Sequence, residues 1–177
     1  VWKTLGEEGP PIVNVNGPRY GAIHGADRRL IGFNNIELIT DRPLEVNLRE
    51  VREVKRRYPK HAVIVSLMVE SEDDWREIVL RSVDAGADGL ELNFGCPHGM
   101  CERGMGSAVG QEPEVLKVVA GWAVKYSTVP VLVKLTPNVG DILVPGVAAV
   151  EAGVHGLSLI NTIKSIVGVD LDKMVPY

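Results

Sequence analysis

Gly89-Leu90-Glu91-Leu92-Asn93-Phe94-Gly95-Cys96-Pro97-His98-Gly99-Met100 carries an apolar run straight into a loop that offers an amide, a thiol and an imidazole. The run has the length and bounding glycines of a buried strand. The loop continues through Glu102-Arg103-Gly104-Met105-Gly106. In α/β proteins chemistry sits at the carboxyl ends of strands, where loops hold polar groups without cost to the core. The stretch therefore reads as a strand feeding an active-site loop, with Cys96 as a candidate catalyst.

The same rhythm extends in both directions. Residues 62–68 form a β-branched apolar run, read as another buried strand. Ser71-Glu72-Asp73-Asp74 resembles a capping box, and Trp75, Ile78, Val79 and Val83 follow at helical spacing. Pro113 opens a further helix with Val115, Val118, Val119 and Trp122 on one face. Strands are expected over 129–135 and 156–160, with a helix over 141–152 between them. Alternating strands and helices with short loops imply parallel strands and outer helices. Before residue 61, Trp2-Lys3-Thr4 reads as the tail of a strand, 5–35 as a long Gly/Pro/Asn-rich excursion, and 42–58 as an amphipathic helix. A long loop in a compact domain is usually functional.

Lys3-Thr4, Asn93, Lys134 and Asn161-Thr162 all fall at or just after a strand's carboxyl end. Polar residues repeated at that level are what the active-site face of a (β/α)₈ TIM barrel requires. About five of its eight strands are expected within a single partial barrel domain spanning 1–177. The chain reads as a fragment of a longer barrel.

Composition is ordinary for such a domain, at 45% hydrophobic and 24% charged residues, and 177 residues suffice for a core without staples. A net charge of −4 gives no electrostatic reason to expect nucleic acid or an anionic membrane as partner. The basic run Lys55-Arg56-Arg57 falls where a helix ends and complements its dipole. No apolar stretch approaches the roughly 20 residues that span a bilayer, and no signal peptide is visible. Two cysteines five positions apart make no disulfide framework, so the reducing cytoplasm is the expected compartment.

Each chemical reading has a plainer alternative. Cys96 could be a small buried apolar residue. As a thiol it could equally donate a proton to carbon and take one back. Cys96, His98 and Cys101 lack the second ligand pair of a structural zinc site, so no metal is expected. The glycines at 104, 106 and 110 are misplaced for a dinucleotide fingerprint and suit a lid better. Lys3 and Lys134 could face solvent, or could stabilise an anionic cofactor or substrate at the barrel mouth. Asn35, Asn93 and Asn161 could be turn formers, or could bind a flat ligand such as a pyrimidine.

The segment from Leu92 to Gly106 resembles the active-site loop of the dihydropyrimidine dehydrogenases. Phe33-Asn34-Asn35-Ile36-Glu37-Leu38-Ile39, Val133-Lys134-Leu135-Thr136-Pro137-Asn138 and Ile160-Asn161-Thr162 resemble further signatures of that family. The chain resembles in particular the flavin-bearing subunit of the bacterial NAD-dependent enzymes, and is similar also to dihydroorotate dehydrogenases. The resemblance implies an FMN-dependent barrel that interconverts uracil or thymine with the 5,6-dihydro forms. It assigns Cys96 the proton exchange at C5, and Lys3, Thr4 and Lys134 contacts to FMN. Asn35, Asn93, Phe94, Gly95, Asn161 and Thr162 are assigned to the pyrimidine. Animal enzymes carry serine where this chain has Gly95, so a hydroxyl contact is absent there. Cys101 replaces a residue that is commonly small or polar and has no assigned role.

The resemblance also implies features expected outside these residues. They are a first strand, an FMN phosphate site after residue 177, iron–sulfur clusters in a C-terminal segment, and NAD(H) with FAD on a partner subunit of a hetero-oligomer. The 177-residue piece alone is therefore expected neither to close a barrel nor to hold FMN firmly. Two rivals stand beside this reading: a dihydroorotate dehydrogenase, which needs a cationic clamp for a carboxylate, and a non-catalytic barrel segment acting as a binding or assembly module.

Overall fold

The computed structural model describes residues 1–6, 20–35, 39–40, 42–96, 104–166 and 168–176. Five parallel strands form its central sheet: β1 (Trp2–Leu5), β4 (Ile64–Leu67), β5 (Gly89–Asn93), β6 (Val131–Lys134) and β7 (Gly156–Ser158), adjacent in that order. Neighbouring strands follow one another in the chain through helical crossovers, as in the wall of a (β/α)₈ barrel. Two elements intervene before β4: an antiparallel hairpin of β2 (Tyr20–His24) and β3 (Leu30–Asn35), then α1 (Leu44–Arg57). The crossovers that follow use α2 (Glu72–Asp84), α3 (Ser107–Gly110) with α4 (Pro113–Tyr126), and α5 (Leu143–Glu151). A short hairpin, β8 (Val169–Asp170) and β9 (Val175–Pro176), ends the described chain.

Strand alternation separates core from site. Val65, Leu67, Leu90, Leu92, Val131 and Val133 are fully buried in the cluster that packs under the helices. Ser66, Glu91, Asn93 and Lys134 occupy the alternate positions, on the opposite face of the sheet. Trp75 of α2 and Phe94 anchor the helix-side core edge-to-face, with ring centroids 6.1 Å apart.

Local signals explain the helix ends. The Ser71 hydroxyl accepts from the Asp74 backbone N–H at 3.2 Å, and the Asp74 carboxylate accepts from the Ser71 N–H, completing the expected capping box. Pro113 takes the first position of α4, where its missing N–H is harmless. Pro145 lies in the first turn of α5, where it likewise breaks no helical bond. At the end of α1, Arg56 and Arg57 pair with Glu53, holding its carboxyl at about 2. Lys55 instead reaches Asp88 at 2.8 Å, tying α1 to the turn before β5.

The excursion expected over 5–35 contains the β2–β3 hairpin, turned at Gly25-Ala26-Asp27-Arg28; residues 7–19 lie outside the described residues. The expected strands and helices are each present and mostly one or two residues shorter at their ends. No helix among the described residues is long and apolar enough to cross a membrane.

Candidate active site

A cavity of about 260 Å³ opens on the polar face of the sheet, at the carboxyl ends of its strands. Lys3, Thr4, Asn35, Asn93, Cys96, Lys134, Asn161 and Thr162 all line it, brought together from sequence positions up to 159 residues apart. A register irregularity puts both Lys3 and Thr4 there. Trp2 pairs with Val65 and Leu5 with Leu67, so three steps along β1 match two along β4. Strict alternation would have turned one of the two residues away.

A hydrogen-bonded chain runs around the cavity. The Ser66 and Thr4 hydroxyls lie 2.9 Å apart, and Asn93 Nδ2 donates to Thr4 Oγ1 at 3.0 Å. Asn93 Oδ1 accepts from the Gly95 N–H at 3.3 Å and from Asn161 Nδ2 at 3.0 Å. Asn161 Oδ1 accepts from the Thr162 N–H at 2.7 Å, and Asn35 Nδ2 donates to Thr162 Oγ1 at 3.3 Å. Backbone N–H groups can only donate, so those of Gly95 and Thr162 fix the direction of both amides. Asn93 and Asn161 each retain one Nδ2 proton beyond these bonds, and both residues line the cavity. Asn138 braces the far end, donating to the Thr162 carbonyl at 3.1 Å.

Cys96 is a buried thiol at the cavity wall, clustered with Ile39, Met68 and Met105. Its carbonyl accepts from the Ser107 N–H at 3.1 Å, so the chain returns to Cys96 where α3 begins. Gly106 makes that return possible: its φ is +60°, and a Cβ there would lie 2.6 Å from the Cys96 carbonyl oxygen. A Cβ on Gly110 would run into the Phe94 carbonyl. Close backbone approach therefore accounts for glycine at 106 and 110. Pro97, His98, Cys101 and the rest of 97–103 lie outside the described residues, as do Ile36, Glu37 and Leu38.

Two of the expected pyrimidine residues do not line the cavity. Phe94 is 1% exposed, its side chain turned to Trp75 in the core. Gly95 lies behind Asn161: a Cβ there would meet Asn161 Nδ2 at 2.8 Å and Cγ at 3.0 Å. Its contribution is the space that lets Asn161 reach Asn93. Ser66 and Glu91 line the cavity without having been singled out in the sequence. Their signal was a polar residue at an alternate position within an apolar strand.

The dihydroorotate dehydrogenase family profile matches residues 26–175 of the chain. The chain belongs to the dihydroorotate dehydrogenase family. Its five-stranded wall is thus an incomplete (β/α)₈ barrel of that type. Within the family it is 43% identical over 180 residues to the chloroplastic NADP(+) dihydropyrimidine dehydrogenase of Arabidopsis thaliana, covering 98% of this chain. It is 41% identical over 175 residues to the NAD-dependent dihydropyrimidine dehydrogenase subunit PreA of Escherichia coli K12, covering 99% of this chain. The chain spans 42% of the length of each of these relatives. The catalytic subunit of dihydroorotate dehydrogenase B (NAD(+)) from Methanocaldococcus jannaschii is 33% identical over 165 residues, covering 91% of this chain and 47% of its own length.

Proposed function

We propose that this chain forms the pyrimidine-binding wall of an FMN-dependent dihydropyrimidine dehydrogenase. The observation that carries the reading is the assembly of Cys96, two lysines and three asparagines around one cavity, in a chain 41–43% identical to dihydropyrimidine dehydrogenases. The residues suit FMN and a pyrimidine together. Lys3 and Lys134 offer positive charge to an electron-rich ring system, and the asparagine amides offer donors to ring carbonyls. Lys3, Thr4 and Lys134 would hold FMN, which would supply hydride exchange at C6 of the pyrimidine.

Cys96 delivers a proton to C5 during reduction and removes it during oxidation. A thiol is suited to this because its ordinary pKa, about 8.5, keeps it protonated yet able to ionise near neutrality. The surrounding Ile39, Met68 and Met105 keep water from competing for that proton. Asn93 and Asn161, locked in direction by the Gly95 and Thr162 N–H groups, orient the ring so that C5 faces the thiol. The intact enzyme is a hetero-oligomer whose partner subunit handles NAD(H) through FAD, with iron–sulfur clusters between the two flavins.

Dihydroorotate dehydrogenation is the less favoured alternative: the lower identity, 33%, goes with that activity, and the cavity's only described cationic side chains are Lys3 and Lys134. The test is Cys96→Ala in the intact enzyme. Turnover of dihydrouracil is expected to collapse while FMN content is unchanged, and Cys96→Ser is expected to lose activity as well, an alcohol being a far weaker acid. Undiminished turnover in Cys96→Ala would remove the thiol from the mechanism.

A further inference from the structure

Glu91 is the least expected member of the cavity lining. It lies mid-strand in β5, is 5% exposed, and no described residue hydrogen-bonds or ion-pairs with its carboxylate. Lys134 also lines the cavity, and its ammonium makes no hydrogen bond or ion pair with a described residue. The two opposite charges sit on adjacent strands yet do not satisfy each other. The Glu91 carboxylate oxygens are not among the buried polar atoms left unpaired, so they open to the cavity, where a ligand can reach them.

Register places these groups in depth. Asn93 is opposite Lys134, whereas Glu91 is opposite Leu132, two residues further from the mouth. The offset is about 6.6 Å at the usual rise per strand residue. The Asn93 amide and the Lys134 ammonium are donors at the upper level, and the carboxylate beneath can only accept. A ligand that satisfies all three presents two acceptors and one donor. A cyclic imide, C(=O)–N(H)–C(=O), carries that set on one edge.

We propose that Glu91 is a ligand-binding residue that accepts a hydrogen bond from an imide N–H, while the donors above it take the flanking carbonyls. This rests on the flavin–pyrimidine reading of the cavity. Flavin and uracil both carry such an edge, and N-methylation removes its proton while leaving the rest of the ring.

The experiment compares each ligand with its N3-methyl form in the intact protein. In one arm apoprotein is titrated with FMN and 3-methyl-FMN, followed by flavin fluorescence. In the other, FMN-loaded protein is titrated with uracil and 3-methyluracil, followed by flavin absorbance. Wild type is expected to favour the N–H form of one ligand by roughly tenfold or more, the value of a hydrogen bond to a charged group. The arm that shows the preference identifies the ligand. Glu91→Ala is expected to abolish the preference, and Glu91→Gln, which still accepts through its amide oxygen, to keep part of it. A merely structural role would weaken both forms equally. Wild-type indifference to methylation in both arms, or a preference that persists in Glu91→Ala, would overturn the assignment. Wild-type protein that takes up neither FMN nor uracil would instead overturn the reading of the cavity beneath it.

Discussion

Replacing Gly106 with alanine tests whether the return of the chain onto Cys96 sets the position of the thiol. Gly106 has φ +60° and ψ −123°, a conformation that L-residues other than glycine rarely adopt. Imposing it on alanine costs about 1–3 kcal/mol. The added Cβ would also lie 2.6 Å from the Cys96 carbonyl oxygen, short of the 3.4 Å at which van der Waals contact becomes ordinary, so about 0.8 Å must be found by moving backbone. Overpacking of that kind costs roughly a further 1–3 kcal/mol. Gly104 is the matched control. Its φ is +70°, but a Cβ there meets nothing within 4 Å, so Gly104→Ala carries the backbone cost alone. Thermal unfolding is expected to place Tm of Gly106→Ala below that of Gly104→Ala by roughly 2–12 °C. Turnover per bound FMN is expected to fall by about 10- to 100-fold in Gly106→Ala, since a misplacement near 1 Å has that effect on a reacting group. Equal Tm and equal turnover in the two variants would refute the close approach to Cys96.

Gly95→Ala is expected to push Asn161 away from Asn93, because a Cβ would meet the Asn161 amide at 2.8 and 3.0 Å. Losing that orienting bond, worth about 1 kcal/mol, should raise KM for the pyrimidine several-fold at unchanged FMN content, and steady-state kinetics with dihydrouracil measures it. Asp88 tests an acid-sensitive tie: the Lys55 ammonium, then the Val63 N–H, holds its carboxyl below the usual carboxylate range. A depressed folded pKa contributes stability above the unfolded value, about 3.9, that is lost as pH falls through the folded pKa. The Asp88 side chain is 40% exposed, so screening limits the contribution of the pair to about 1 kcal/mol or less. Asp88→Asn should therefore lower Tm by a few degrees at neutral pH, and the gap to wild type should close as pH falls below about 4, as melting curves across pH would show.

The barrel wall from β4 to β7 was legible because each of its elements carries a local signal. The strands are apolar runs, α2 has its Ser71 capping box and α4 its Pro113. The β2–β3 hairpin was not, because Gly21, Gly25 and Gly32 interrupt it and it has little apolar pattern to bury: Tyr20 and Phe33 remain well exposed. Placement of Lys3, Asn93, Lys134 and Asn161 at strand ends was readable from order alone. The inward turn of both Lys3 and Thr4 was not, since it depends on a register shift against β4. Nor was the Asn93–Asn161 pairing, made across 68 residues, or the need for glycine at 95, 106 and 110, which other segments impose. Glu91 was visible as a charge in an apolar strand, but its meaning came only from finding its carboxylate without a described partner and open to the cavity.

The most direct measurement is anaerobic mixing of the intact, FMN-loaded protein with dihydrouracil and, separately, with dihydroorotate, while following the yellow flavin absorbance. Bleaching by dihydrouracil, with little or none by dihydroorotate, is the expected result. Bleaching by dihydroorotate in preference to dihydrouracil would contradict the assignment of this cavity to dihydropyrimidine oxidation.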